Sequence, residues 1–329
     1  MKNKKKTYFI TGGTGSFAKK FVEHLLKNKL AKKIIIFSRD EFKQFLMKED
    51  DLIKKNISKI RFLIGDVRDK NRLDFAIQEN IDVVIHTAAM KQVPATEYNP
   101  FEAIQTNVIG AQNLIEICLK KNIKNILALS TDKAAAPINL YGATKLTSDK
   151  LFTNANYFKG SKRCDFSVVR YGNVMGSRGS VIPLFLKQKK ENKIYTITHG
   201  EMTRFNITIE DSVKFVIQCI SKMKGGEIFV PKIPSYRILD VLKAIDKNPK
   251  YKLIGIRPGE KLHEELITES DSLSTQEFKN YYIIHPSYKI YKKNNMKPFS
   301  YNSYNNNVFL KKIDLEKLIK SNLKDFQNF

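Results

Sequence analysis

Tyr8-Phe9-Ile10-Thr11-Gly12-Gly13-Thr14-Gly15-Ser16-Phe17-Ala18 joins an apolar run to a glycine-rich turn and then to a new periodicity. Tyr8-Phe9-Ile10 reads as a short strand. Beyond the turn, Phe17, Phe21 and Leu25 recur at four-residue spacing, flanked by Val22 and Leu26, with Lys and Glu between them. That spacing predicts an amphipathic helix. Gly12, Gly15 and the small Ala18 stand three apart within the turn. In a strand–turn–helix unit the first such glycine permits a tight turn and the second lets the backbone approach a pyrophosphate. A small third residue lets helix and strand pack closely. The amides that open the helix then face the anion. Gly12, Thr14, Gly15, Ser16 and Phe17 are therefore candidates for holding a dinucleotide.

The same grammar repeats outward from this unit. Ile34-Ile35-Ile36-Phe37 is a second apolar run, and Ile60–Ile64, Val83–His86 and Ile126–Leu129 read as further strands separated by helix-length stretches. Near-continuous apolar runs fit strands covered on both faces. Alternating strands and helices predict an α/β fold with a doubly wound parallel sheet. After Leu151 the pattern loosens. Phe166–Val169 is a strand candidate, residues 171–200 read as loop-rich, 287–307 as exposed polar loop, and 314–326 as helical. Residues 1–170 are expected to form a coenzyme-binding domain, rejoined by about 203–225, with 171–329 mainly a smaller, mixed substrate-binding domain.

Composition narrows the class. The chain has 329 residues, of which 42% are hydrophobic and 28% charged, enough apolar content for a core. No apolar run reaches the roughly 18 residues of a membrane span. The basic start turns glycine-rich before an apolar segment forms, so no signal sequence is expected. Cys118, Cys164 and Cys219 are odd in number and far apart, which suits a reducing compartment and a cytoplasmic protein. Lys and Arg number 58 against 33 Asp and Glu, a formal charge of +25. Such a balance can mark nucleic-acid binding. Here the lysines are scattered, with only short clusters at residues 2–6 and 187–190, so solvated faces are expected and no nucleic acid or membrane partner. His24, His86, His199, His263 and His285 show no metal-ligand spacing, and no metal is expected.

Two further segments carry candidate chemistry. The second strand ends at Ser38-Arg39-Asp40. A Ser-Arg pair there suits a 2′-phosphate, with Lys43 adding charge, so NADP is expected; Asp40 can also be read as the acid that takes the ribose hydroxyl of NAD. Asp66, beside Val67 after the third strand, is either an acceptor for the adenine amino group or a turn residue. Ala88, after the fourth strand, completes the coenzyme set. In Ser130-Thr131-Asp132-Lys133…Leu140-Tyr141-Gly142-Ala143-Thr144-Lys145, Tyr141 and Lys145 lie four apart on one helix face. A nearby ammonium favours phenolate, which makes Tyr141 a plausible base for an alcohol losing hydride, and Lys145 can hold the nicotinamide ribose.

With Gly12-x-x-Gly15 and Tyr141-x-x-x-Lys145 in place, the chain resembles the extended short-chain dehydrogenase/reductase superfamily over most of its length, which implies a Rossmann-type sheet. Met90-Lys91-Gln92-Val93-Pro94-Ala95-Thr96-Glu97-Tyr98-Asn99-Pro100, the run from Arg170-Tyr171-Gly172-Asn173 to Arg178-Gly179-Ser180, Met202-Thr203-Arg204-Phe205 and Arg257-Pro258-Gly259-Glu260-Lys261-Leu262-His263-Glu264 are similar to one subgroup. It is that of the soluble UDP-N-acetylglucosamine 4,6-dehydratases that invert C5 and open pseudaminic acid biosynthesis. Asp132-Lys133 is this subgroup's pattern, whereas C5-retaining glucose-nucleotide dehydratases carry Asp-Glu and simple 4-epimerases small hydroxyl residues; Tyr141 marks the soluble type.

The resemblance implies oxidation at C4, loss of the C5 proton to a neutral Lys133, protonation of the departing 6-hydroxyl by Asp132, and return of hydride to C6, with Thr131, Tyr141 and Lys145 completing the catalytic set. It implies that Lys133 has a lowered pKa. It also implies that Asn173, Arg178, Arg257 and the backbone of Gly179, Ser180 and Val181 hold the UDP part, with Arg204 and Lys91 near it, and that the protein is a homo-oligomer, a hexamer being one form. Two positions depart from the subgroup: Ala18 stands where Gly is more frequent, and Asn206 where an aromatic is frequent. A C5-retaining dehydratase, another UDP-N-acetyl-sugar epimerase or dehydratase, and a non-catalytic nucleotide- or nucleic-acid-binding protein are the alternatives.

Overall fold

The computed structural model describes residues 5–78, 80–175, 181–286 and 297–322. Lys6–Thr11 (β1) and Ala31–Ser38 (β2) flank the glycine turn, with Ser16–Lys27 (α1) between them. α1 buries Phe21, Val22, Leu25 and Leu26, the stripe that the four-residue spacing predicts. Ile60–Ile64 (β3), Val83–His86 (β4), Asn125–Leu129 (β5) and Asp165–Val169 (β6) follow. Later, Ile228–Pro231 (β7), Thr275–Glu277 (β8) and Tyr281–Ile284 (β9) return to the same sheet.

The lateral order is β8-β9-β7-β6-β5-β4-β1-β2-β3. Every pairing from β3 across to β7 is parallel, and β9 runs antiparallel to both β7 and the edge strand β8. The fold is thus the expected doubly wound, Rossmann-type α/β sheet. Its winding reverses between β1 and β4, and the crevice at the carboxyl ends of the strands there is where such sheets bind ligands. Phe9, Ile10, Ile34, Ile36, Val84 and Ile126 lie fully or almost fully buried in one core cluster, as expected for strands covered on both faces.

A second buried cluster gathers Ile182, Phe185, Ile197, Val241, Leu242 and Leu315. It draws on the helices Val181–Lys190, Ile238–Ile245 and Lys312–Ser321. The expected loop over 171–200 is therefore corrected: Val181–Lys190 is helical, and Tyr195–Ile197 pairs with Tyr251–Leu253. Pro183 lies in the first turn of that helix, where its missing N–H has no intrahelical partner to lose. The loop expected over 287–307 is corrected in part. Tyr301–Asn302 pairs with Glu265–Ile267, and the buried Tyr301 hydroxyl donates to the Ile233 carbonyl at 3.0 Å; residues 287–296 lie outside the described residues. So do 323–326, the end of the expected C-terminal helix.

Candidate active site

The coenzyme end is built from adjacent sequence. Gly12 has φ 62°, and a Cβ there would lie 2.8 Å from the Ala88 amide nitrogen. Only glycine lets the ends of β1 and β4 approach this closely. The Gly15 amide donates to the Gly12 carbonyl at 2.9 Å, and Gly15 caps α1, whose first turn carries no acid to repel an anion. Ser16 begins that helix and Phe17 stacks on Phe21. Ala18 is fully buried, so its methyl is accommodated where the subgroup favours glycine. Thr14 Oγ1 and Ser38 Oγ lie 2.8 Å apart, tying the loop to the tip of β2.

At that tip the two readings of Asp40 separate. Asp40 caps the helix Glu41–Lys48 (α2) by accepting the Lys43 amide at 2.9 Å, and it pairs with the Lys43 ammonium. Its carboxylate is thus committed to capping, and Lys43 to Asp40. Arg39 is 60% exposed at the side chain, with one nitrogen 3.6 Å from Asp66. Asp66 accepts the Arg68 amide at 3.0 Å and its guanidinium at 2.8 Å. Burial opposes the charge of Asp66, but Arg68 outweighs it and holds the carboxyl below its ordinary range. Val67 is buried beside it.

A cavity of about 1760 Å³ runs from Gly12 and Ser38 past Thr131 and Tyr141 to Arg257. The pinched glycine cradle, the open start of α1 and this length fit a nicotinamide dinucleotide at one end and a nucleotide-linked group at the other.

Between them lies the catalytic turn. β5 ends at Leu129, Asp132–Ala134 forms one 3-10 turn, and Leu140–Asn154 (α3) follows, capped by the Asn139 side chain. Tyr141 and Lys145 are both buried on α3. A Cβ on Gly142 would run into the Lys133 carbonyl oxygen, so the turn packs directly on the helix backbone. Asp132 is fully buried. Its Oδ1 accepts from the Thr131 hydroxyl at 2.9 Å and from Lys133 Nζ at 3.0 Å. Lys133 Nζ also donates to Asn173 Oδ1 at 3.3 Å and lies 3.2 Å from Glu264 Oε1. Glu264 in turn lies 3.6 Å from Arg204 Nε.

These contacts set the protonation states. Burial pushes the Asp132 carboxyl up, against the pull of Lys133. Burial works against the Lys133 ammonium, yet Asp132 and Glu264 outweigh it and hold the amine above its usual value. The expected lowering of Lys133 is therefore corrected for the ligand-free protein. Burial pushes Tyr141 up to about 12, and the cation that opposes this is Lys133, helped by a hydrogen bond shared with Thr131. Lys145, the cation expected in that role, donates to the Leu129 carbonyl at 2.8 Å. Its own ammonium is pushed down by burial, with Asp149 opposing.

Residues 8–286 match the profile of a family described as polysaccharide biosynthesis protein. The chain belongs to that family. A relative in Campylobacter jejuni named UDP-N-acetylglucosamine 4,6-dehydratase (inverting) is 51% identical over 96% of this chain and 97% of its own. A UDP-glucose 4-epimerase of Rickettsia bellii is 43% identical over 85% of this chain and 82% of its own. Among solved structures, Pen from Bacillus thuringiensis superposes with a TM-score of 0.89 at 40% identity, covering 98% of this chain and all of that one.

Lys91, Asn173, Val181, Arg204 and Arg257 all line the cavity, whereas Arg178, Gly179 and Ser180 lie outside the described residues. Arg257 is exposed on its loop. Arg204 is buried and donates to the Thr203 and Leu262 carbonyls. The loop that follows Arg257 is tied to the catalytic turn: Asn139 Nδ2 donates to the Gly259 carbonyl at 2.7 Å and Lys261 Nζ to the Ala135 carbonyl at 2.6 Å. Asn206 is buried and its amide donates to the Pro234 carbonyl, so the substitution of an aromatic leaves the backbone pairing in place.

Sequence reasoning missed four buried polar groups. His86 Nδ1 lies 2.8 Å from Thr11 Oγ1, and burial, with Lys145, pushes its imidazole down to about 3. Asp149 accepts from Ser130 at 2.8 Å and lies 3.3 Å from Arg170, which reaches Asp271 at 3.0 Å. Glu264 completes the set. Arg170 and Glu264 each sit at one end of a quoted motif, which was the available signal. Among the described residues no cluster of acids, histidines and cysteines could hold a metal, and no helix is long and apolar enough to cross a membrane.

Proposed function

We propose that the protein is a UDP-N-acetylglucosamine 4,6-dehydratase that inverts C5, working with NADP. The observation that carries this reading is the convergence of the buried Asp132 with Lys133, which, like Tyr141, lines the cavity. The name borne by the 51% identical relative supports it. When bound, the nicotinamide supplies the acceptor and donor of hydride. The chain's own groups handle the protons. Tyr141 takes the C4 hydroxyl proton, which requires its phenol to ionise against burial; Lys133 and Thr131 are placed to help. The C4 ketone makes the C5 proton acidic, and Lys133 removes it; after water loss and hydride return to C6, C5 is reprotonated on the opposite face by a proton from solvent. Asp132, whose proton affinity burial raises, gives a proton to the departing 6-hydroxyl. Arg257, Arg178 and Asn173 take the UDP part, two guanidiniums suiting a diphosphate.

NADP is favoured over NAD because Asp40 is spent on capping while Arg39 stands exposed beside the buried Ser38. Residues 1–170 with 203–225 as coenzyme domain, a homo-oligomeric state and a cytoplasmic location belong to the same reading. The test is incubation of the pure protein with UDP-N-acetylglucosamine and NADP, followed by NMR of the product. The expected product is the 4-keto-6-deoxy sugar with C5 inverted. A 6-deoxy product with C5 retained, or a C4 epimer formed without loss of water as the Rickettsia relative's name describes, would overturn the assignment.

A further inference from the structure

Lys133 presents a difficulty as the C5 base, because the ligand-free site holds it as an ammonium between two acidic side chains. Asp132 Oδ1 lies 3.0 Å from Nζ and Glu264 Oε1 lies 3.2 Å away on the other side. The two acids come from segments 132 residues apart in the chain and are both almost wholly buried. Asp132 cannot take the lysine proton if it is to protonate the leaving hydroxyl. Glu264 can. Its Oε2 is buried and has no hydrogen-bond partner among the described residues, although a buried carboxylate oxygen without a partner is costly. Glu264 also lines the cavity.

We propose that Glu264 is the proton store for Lys133, a positioning residue that accepts the lysine proton when substrate fills the cavity and so frees the amine to act on C5. The inference rests on the reading of Lys133 as the C5 base. In the step, an N–H bond of Lys133 breaks, its electron pair stays on Nζ, and an O–H bond forms on Glu264. No outside reagent is needed. Lys133 then takes the C5 proton and Asp132 gives its own to the departing hydroxyl. The cluster now holds a carboxylate at Asp132 and a carboxylic acid at Glu264. Because Lys133 touches both, one proton relayed from Glu264 through Lys133 to Asp132 resets these three groups, while C5 takes a solvent proton on the opposite face as hydride returns to C6 and Tyr141 releases the C4 hydroxyl proton to solvent. The charged and titratable groups that face this pair are Asp132, Arg204, Lys261, Tyr141 and Tyr236. Arg204 and Lys261 favour the Glu264 anion in the empty site. Shifting their charge toward a bound diphosphate would raise its proton affinity.

A store inside the cluster makes the populations of the two Lys133–Glu264 proton arrangements independent of pH, because both carry the same number of protons. The wild-type rate of C5 deuterium incorporation from deuterium oxide should therefore be flat between about pH 6 and 9. Glu264→Gln keeps the size and removes the acceptor, so neutral Lys133 can then arise only by losing a proton to solvent. Its rate should fall by at least tenfold near pH 7 and rise roughly tenfold per pH unit. Glu264→Asp should retain a flat profile at a lower rate. In the ligand-free protein, NMR titration of the Lys133 ammonium should show a lower midpoint in Glu264→Gln than in wild type.

A wild-type rate that itself climbs tenfold per unit overturns the inference, and this measurement needs no variant to fold. So does a Glu264→Gln profile parallel to wild type, which is what a merely structural glutamate would give, or an unchanged Lys133 midpoint. Lys133→Met separates the two readings. Continued C5 exchange in Lys133→Met would sink the base assignment, whereas loss of exchange there with wild-type behaviour in Glu264→Gln would sink only the store.

Discussion

The two ends of the cavity are made in different ways. The coenzyme end is local: Gly12, Gly15, Ser38, Arg39 and Asp40 all lie within the first βαβ unit, and their hydrogen bonds run between neighbouring segments. The catalytic end is assembled from afar. Its lysine meets Asn173 and Glu264, drawn from 40 and 131 residues further along. Local construction yields a site with backbone amides and exposed charge, whereas distant construction yields a buried, coupled cluster of titratable groups. The first kind suits an anion; the second couples the titration of its members.

The contrast is broken hardest at Lys133. Lys133→Met should lower turnover by about 10²–10⁴, the usual worth of a positioned base, while NADP and UDP-sugar binding survive because the phosphate-binding groups lie elsewhere. Equilibrium binding beside steady-state rates checks this; a rate within tenfold of wild type would remove Lys133 from the mechanism. Next is Gly142, where helix and turn touch without a side chain between them. Gly142→Ala should destabilise the protein by about 1–3 kcal/mol, the cost of overpacking, and should impair turnover as well, since the displaced atom is the Lys133 carbonyl. Denaturant unfolding of both proteins measures the first effect.

At the coenzyme end the expected effects are smaller. On the NADP reading, Arg39→Asp replaces the cation proposed for the 2′-phosphate with a hydroxyl acceptor and should weaken NADP by roughly tenfold relative to NAD. An unchanged ratio of the two binding constants would show that Arg39 does not meet the 2′-phosphate. His86, beneath both ends, gives the smallest effect near neutrality. The folded imidazole stays neutral down to about 3, while the unfolded one takes up a proton below 6.5. Its contribution is therefore complete above pH 6.5 and is lost on acidification toward pH 3, by up to about 1.4 kcal/mol per pH unit. His86→Gln should flatten the stability–pH curve over that window by this amount; identical slopes would mean that His86 is protonated in the fold.

The parallel sheet was legible because each of its strands is a nearly continuous apolar run and α1 repeats every four residues. The helix Val181–Lys190 was not, since Pro183 and the preceding glycines read as loop; packing of Ile182 and Phe185 into the second core decides it. Thr131, Asp132, Tyr141 and Lys145 could be picked out as a group because one turn and one helix hold them at fixed spacing. Glu264, Asp149, Arg170 and His86 escaped because nothing local distinguishes a buried charge from a solvated one.

The sequence by itself determined the doubly wound fold and the glycine-rich turn between β1 and α1, because periodicity and glycine placement are short-range properties. Only the tertiary structure decided the protonation of the catalytic turn. An ammonium expected to be weakened is instead strengthened, since burial alone would discharge Lys133, and the carboxylates of Asp132 and Glu264 reverse the balance. Which of the two prevails depends on distances across the fold, and a chain's order does not contain them.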